Sequence, residues 1–320
     1  MKSGLLALLL ALPLLSTEGV AQEYPTRIVK IIVPFGAGGP ADVTARLIGN
    51  VLQETLKQPF VVENRPGAGA VIGTVEVARA APDGYTLLMM SNTQTANESL
   101  IPQRNYELMR DLAPVAPANT SDLVIVVNPE VKAKTLQEFI ALAKSQPGQL
   151  NYASSGQGTP YHMAGELFKS MAGIDVVHVP YRNSGEARNG VLGGQVQMMI
   201  DAVTTMAPNI GAGQVRALAT TGPTRSAVLP DVPTAIEAGV AGYDATIWLG
   251  FMAPAGTPKP ILEKLNAAIN DAVKRPEIVG LWAKQGAVPM SMSTAEFDAY
   301  LRGDIVKWAA VVKKINEKAQ

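Results

Sequence analysis

The chain has 320 residues, 47% of them hydrophobic and 17% charged, a length that suggests about two domains and a composition that excludes disorder. Lys+Arg 27 against Asp+Glu 27 leaves zero formal charge, so there is no basic field to hold nucleic acid or an anionic membrane. Cysteine is absent and only two histidines occur, His162 and His178, which removes disulfides, cysteine nucleophiles and most metal and acid–base chemistry.

Lys2 precedes an apolar run from Gly4 to Leu15 and a polar stretch ending in Gly19-Val20-Ala21. That is the layout of an export signal cleaved after Ala21, with an apolar run too short to span a bilayer. No cysteine near the cut could carry a lipid anchor. The expected product is a soluble periplasmic protein. Free ATP and NAD(P)H pools are not expected there, which penalises nucleotide-dependent enzymes.

Arg27 to Pro34 is a β-branched run ending at Pro and Gly, a buried strand by composition. A helix with Val43, Leu47, Ile48, Val51, Leu52 and Leu56 on one face follows. Next come a strand from Phe60 to Glu63, a helix near Ala70 to Ala81 stopped by Pro82-Asp83-Gly84, and a strand from Tyr85 to Ser91. This rhythm implies a parallel sheet with helices on its faces. It restarts at Leu123. Strands are expected at Leu123 to Val127, Leu150 to Ser154, Ile174 to Pro180, Val196 to Ile200 and Val215 to Thr220. Between them lie a helix opened by the capping pair Thr135 and Glu138, one near Pro160 to Ala172, and one near Gly185 to Leu192. After a Pro/Gly-rich passage the chain returns through Ala245 to Ala253 into helices at Lys259 to Lys274, Pro276 to Gln285, and from the capping pair Ser293 and Glu296 onward. The expected class is α/β with two lobes, each a mostly parallel sheet flanked by helices. Residues 22–122 plus 246–320 form one lobe and 123–245 the other, with two crossings and a cleft between them.

In open α/β sheets ligands sit where strand ends enter helix N-termini. The loop Pro34 to Asp42 (PFGAGGPAD) offers Phe35, Gly36, Ala37, Gly38 and Gly39, whose backbone amides can approach a ligand closely. Pro40 fits the first helical position, and Asp42 is better placed to cap the helix than to touch a ligand. The loop Ser154 to Thr159 (SSGQGT) stands at the matching place in the other lobe, with Ser154, Ser155, Gly158 and Thr159 supplying hydroxyls and a flexible backbone. Helix N-termini of this kind hold an anion without any lysine or arginine. Three or four charge-assisted hydrogen bonds at about 1.5–3 kcal/mol each, less the costs of association, give about −8 kcal/mol, roughly micromolar affinity. Other strand ends add Ser91 to Thr95, Pro180-Tyr181-Arg182 and Asp201. Tyr181 either walls a pocket or covers the sheet edge. Asp201 either meets a ligand ammonium or hydroxyl or caps the next helix. His162, just inside the helix after SSGQGT, is near enough to contribute, whereas His178 on a buried strand reads as structural.

Gly67, Gly69 and Gly73 raise a dinucleotide site, but the GxGxxxG spacing is one residue too long. Some twenty residues further on, Met89-Met90-Ser91 has no acid to take a ribose hydroxyl. No phosphate-loop, nucleophile-elbow or metalloprotease motif is present, and no metal or cofactor is expected.

The phrases YPTRIVKIIVPFGAGGPAD (24–42), VVENRPGAGAVIGT (61–74), APDGYTLL (81–88), LNYASSGQGTPYHMAGELFKSMAG (150–173), VHVPYR (177–182), LGGQVQMM (192–199), LPDVPT (229–234) and GFMAPAGTPKPILEKLN (250–266) run in order over nearly the whole mature chain. Together they resemble the Bug proteins, extracytoplasmic solute receptors of the tripartite tricarboxylate transporter type. The resemblance implies a two-lobed periplasmic binding protein that closes on a small carboxylate. It carries ligand contacts onto Phe35 to Gly39, Ser91, Asn92 and Thr93, Ser154 to Thr159, Tyr181 and Asp201. Asn183 departs from the glycine that often follows VPY(K/R) in the family, and Asn92-Thr93-Gln94 lies in a variable part of the pocket. The expected protein is a monomeric, non-enzymatic receptor that passes an organic carboxylate to a membrane permease. The alternatives are a secreted α/β enzyme acting on an organic acid, with Asp201 or His162 as its base, and a ligand-sensing partner of a signalling protein.

Overall fold

The structure is a computed structural model that describes residues 24–318, so the expected export signal lies outside the described residues. In chain order the elements are β1 (Val29–Val33), α1 (Pro40–Leu56), β2 (Phe60–Asn64), α2 (Val71–Ala78), β3 (Thr86–Ser91), α3 (Asn92–Leu100), α4 (Leu108–Asp111) and β4 (Leu112–Val127). Then come α5 (Leu136–Ser145), β5 (Asn151–Ser154), α6 (Pro160–Ala172), β6 (Val177–Pro180), α7 (Ser184–Leu192), β7 (Met198–Ala202), α8 (Val203–Gly211) and β8 (Arg216–Thr220). The chain closes with β9 (Thr246–Pro254), α9 (Lys259–Val273), α10 (Pro276–Gln285), β10 (Ala287–Pro289) and α11 (Thr294–Lys318). Among the described residues no helix is long and apolar enough to cross a membrane.

The strands follow the order β2-β1-β3-β9-β4-β7-β5-β6, with β8 and β10 also on β4. Among the named strands, parallel pairs form two triplets, β2-β1-β3 and β7-β5-β6, and every pairing of β4 and β9 is antiparallel. Strand β4 joins the two halves. Leu112 to Asp122 pairs with β9, Leu123 to Val127 with β7, and Val124 to Val127 with β8. Only the second half of this strand is legible from composition. Pro114 and Pro117 interrupt the first half, and the register against β9 shifts beside both, as expected where proline removes a ladder donor. The strand expected at Val196 to Ile200 lies two residues later, and the polar run after Ser91, expected as a loop, is helix α3.

Alternation places successive strand residues on opposite faces. Ile31 and Leu87 join one apolar cluster with α1 and α9, while Ile32 and Leu88 join another with Phe297 and Leu301 of α11. In the other half, Ile125 packs with Phe139 and Phe168, and Val124 with Val191 and Met206. Both faces of both triplets are therefore covered, as parallel strands require. The C-terminal helices pack back on the first half, and Trp308 of α11 reaches Met163 of α6. Both capping pairs form. The Glu138 amide donates to Thr135 at 3.2 Å, and Ser293 and Glu296 bond reciprocally.

Candidate functional site

A cavity of about 440 Å³ lies between the carboxyl ends of the two parallel triplets. Five strand-to-helix passages meet around it: β1 into α1, β2 into α2, β3 into α3, β5 into α6 and β6 into α7. Ile247 and Leu249 of β9 form its floor. Each helix therefore points its positive end at one space.

The five starts are not equivalent. Helix α3 is closed by a capping box, in which Ser91 accepts from the Thr93 amide and Gln94 accepts from the Ser91 amide. Helix α7 is closed by Asn183, which accepts from the Glu186 amide at 2.9 Å. Helices α1, α2 and α6 have no side-chain cap. Pro40 and Pro160 occupy the first turns of α1 and α6 and carry no amide proton, so the amides of Ala41 and Asp42, and of Tyr161 and His162, are the donors left without helical partners.

Of the expected contacts, Phe35, Gly36, Gly39, Ser91, Ser155, Thr159 and Tyr181 line the cavity. Ala37, Gly38, Asn92, Thr93, Ser154, Gly158, His162 and Asp201 do not, and the reasons are specific. The Gly38 amide donates to Asp42 at 2.9 Å, so this glycine shapes the loop and its donor is already used. Burial opposes the charge of Asp42, but bonds from Arg46 and Gly38 prevail and hold its carboxyl below the usual carboxylate value. Asn92 donates to the Thr246 carbonyl, and Thr93 accepts from Ser91. Ala37 is exposed.

Ser154 was expected to offer its hydroxyl to the ligand, yet it is wholly buried and 2.6 Å from His178 Nε2. The same oxygen accepts from the Gly156 amide. A serine and histidine in contact suggest a nucleophile, but this pair lies outside the cavity and supports the loop from behind. His162 Nδ1 accepts from the Gly158 amide at 3.2 Å, and its ring lies 4.3 Å from that of His178. Burial, reinforced by His162, pushes His178 down to about 4, and burial likewise lowers His162. Both rings are neutral near pH 7. Asp201 is fully buried behind the wall, paired with Arg188 at 3.0 Å and accepting from the Ala202 amide, so Arg188 and the Ala202 amide occupy the oxygens expected for a ligand. Burial raises its pKa and Arg188 opposes that. Tyr181 lines the cavity, and its phenol end lies close to Gly190.

Residues 44–317 match the sequence model of the tripartite tricarboxylate transporter family receptor. The chain belongs to that family. BugT of Bordetella pertussis is 38% identical over 311 residues, covering 95% of each chain. Among solved structures, the periplasmic binding protein BugD superposes with a TM-score of 0.87 at 32% identity, over 92% of this chain and 99% of that one. MatC from Rhodopseudomonas palustris with bound malate gives 0.86 at 33% identity, over 90% of this chain and 100% of that one.

Arg182, expected beside Tyr181, also lines the cavity of this tripartite tricarboxylate receptor, and the lining residues missing from the sequence expectation are Pro66 to Ala70, Pro160, Tyr161, Asn183, Ser184, Ile247 and Leu249. The first group carried a signal. NRPGAGA is a glycine-rich passage from strand to helix, like PFGAGGPAD and SSGQGT, although its glycine spacing by itself suggests only an imperfect dinucleotide fingerprint. Gly67, Ala68, Gly69 and Ala70 all have positive φ, a strained run at the cavity rim. Gly73 faces Pro34 and the Arg65 carbonyl, so its role is close packing. Ile247 and Leu249 carried no signal, because nothing local tells which face of β9 meets a cavity.

Proposed function

We propose that this chain is a solute receptor that captures a small organic carboxylate in the cavity, leaves it chemically unaltered and delivers it to the permease of a tripartite tricarboxylate transporter. Residues 22–122 with 246–320, and residues 123–245, act as two lobes that close on the ligand. The family description supports the permease partner, the likeness to BugD supports a periplasmic setting, and malate in MatC supports the ligand class. The observation that carries the reading is the convergence of the uncapped starts of α1 and α6, one from each half of the sheet, on a cavity lined by no Asp, Glu or His. Such a site attracts an anion and offers no side-chain base to transform it. Ligand contacts from both halves favour the closed form, and that differential affinity shifts the population.

The test is a thermal-shift screen of the mature chain against organic acids and their neutral amides, followed by mass spectrometry of the recovered ligand. An acid at 100 times its Kd should add about 2.7 kcal/mol, or about 5 °C, while its amide does not, and the acid should be recovered intact. Equal stabilisation by amide and acid, or a chemically changed ligand, overturns the reading.

A further inference from the structure

A second, smaller space of about 150 Å³ adjoins the cavity at its floor, roughly ten times what a single water requires. Leu249 and Pro40 line both spaces. The sheet register explains why. Ser91, Leu249 and Asn119 stand directly opposite one another on β3, β9 and β4, so their side chains form a row on one face. Ser91 lines the main cavity and Asn119 the smaller space, and Leu249 stands between them, 2% exposed. Helix α1 repeats the arrangement. Pro40 borders both spaces, and Thr44, one turn further on, lines the smaller one and accepts from Asn119 at 3.2 Å. Two side chains thus divide what would otherwise be one continuous space.

Elsewhere the cavity is closed by backbone. A Cβ at Gly36 would lie 3.0 Å from the Asn183 Cβ, and one at Gly69 2.9 Å from the Gln157 carbonyl oxygen, so a ligand that outgrows these loops must part the two halves. At the floor, by contrast, the boundary is a leucine side chain and a proline ring with empty room behind them. We propose that Leu249, with Pro40 beside it, is the specificity-determining residue that sets the longest acid this receptor accepts. It ends the carbon skeleton, and a smaller side chain there would join the two spaces. This rests on the receptor reading above and adds its length limit. Among the described residues no charged side chain lines the smaller space, so a neutral chain end could enter it, whereas a second carboxylate would lose its water without a counter-charge.

The experiment is calorimetry of the mature protein with two series of linear acids, the monocarboxylates acetate to decanoate and the dicarboxylates malonate to sebacate. In the wild type, affinity should rise about fourfold per methylene while the chain is being buried and fall about tenfold or more once it reaches Leu249. Leu249→Ala should move that turning point about two methylenes longer for the monocarboxylates, and Leu249→Val about one, while the dicarboxylates gain nothing. The valine variant empties less of the wall and decides the matter if the alanine variant does not fold. A general loss of stability lowers all affinities together and does not move a turning point. A turning point that stays in place in the folded variants, an equal gain for dicarboxylates, or a wild-type series that rises without a limit overturns the proposal and leaves the receptor reading intact. No binding by any acid overturns the receptor reading itself.

Discussion

Ser154 and Ser155 are neighbours on one loop and perform different tasks. The Ser154 oxygen is held by His178 and the Gly156 amide in a fully buried position, whereas Ser155 faces the cavity. Removing the first hydroxyl leaves two partly buried groups, the His178 ring nitrogen and the Gly156 amide, short of a partner, at about 1–3 kcal/mol. Removing the second deletes one contact to an anion. Ser154→Ala is therefore expected to lower unfolding free energy by about 2 kcal/mol, and Ser155→Ala to weaken ligand binding about tenfold with little change in Tm. Urea denaturation and calorimetry on the two variants measure these separately. An affinity loss in Ser154→Ala without a stability loss would contradict the division. The SSGQGT motif was legible as a site because its residue types and its place between strand and helix are local facts. The partner that removes Ser154 from the ligand, His178, stands 24 positions away, and only β5 pairing with β6 brings the two together.

Helix-leading loops meet each other across the cavity, and glycines set how closely. A Cβ at Gly69, in the passage from β2 to α2, would lie 2.9 Å from the Gln157 carbonyl oxygen in the passage from β5 to α6. Asn97 of α3 ties the same region together by donating to the Gly69 carbonyl at 2.8 Å. Gly38 has a comparable positive φ, +76° against +63°, yet a Cβ there would meet nothing within 4 Å. The two glycines form a matched pair. Each Gly→Ala change bears the left-handed backbone penalty of about 1 kcal/mol, and only Gly69→Ala also obstructs the approach of the two halves. Gly69→Ala should therefore weaken binding about tenfold more than Gly38→Ala at similar loss of Tm, measured by calorimetry beside thermal melts. Equal affinities would remove the cross-cavity contact from the account. At this scale the helices and the parallel triplets were readable from periodicity and caps. Helix α3 is not legible in the same way because NTQTANES lacks an apolar stripe, although Ser91 and Gln94 spell its capping box.

Across the whole molecule, the two crossings bring carboxylates together where β4 passes from one triplet to the other. Asp122 on β4 and Asp244 just before β9 lie close enough for their charges to interact, and neither carboxylate has a protein hydrogen bond or ion pair among the described residues. No pattern in the sequence announces this, because it depends on Asp122 pairing with Thr246 across β4 and β9. Burial, and then the charge of Asp244, push the Asp122 carboxyl from its ordinary 3.8 up to about 6. Between about pH 4 and 6 the folded state therefore holds a proton that the unfolded chain has released, so this group's contribution to stability is present at low pH and is lost as pH rises through 6. His178 acts in the opposite sense. With a folded value of about 4 against 6.5, its contribution is present above pH 6.5 and is lost as pH falls through 4. Asp122→Asn removes the first effect alone. At about 1.4 kcal/mol per pH unit, discounted because Asp122 is only partly buried, the variant should gain about 1–2 kcal/mol at pH 7. That gain should fade as pH drops from 6 to 4, where the wild-type carboxyl becomes protonated. Urea denaturation of both proteins at several pH values reads the difference directly, and a gain that stays constant from pH 7 to 4 would show that the charge of Asp122 is not what strains the crossing.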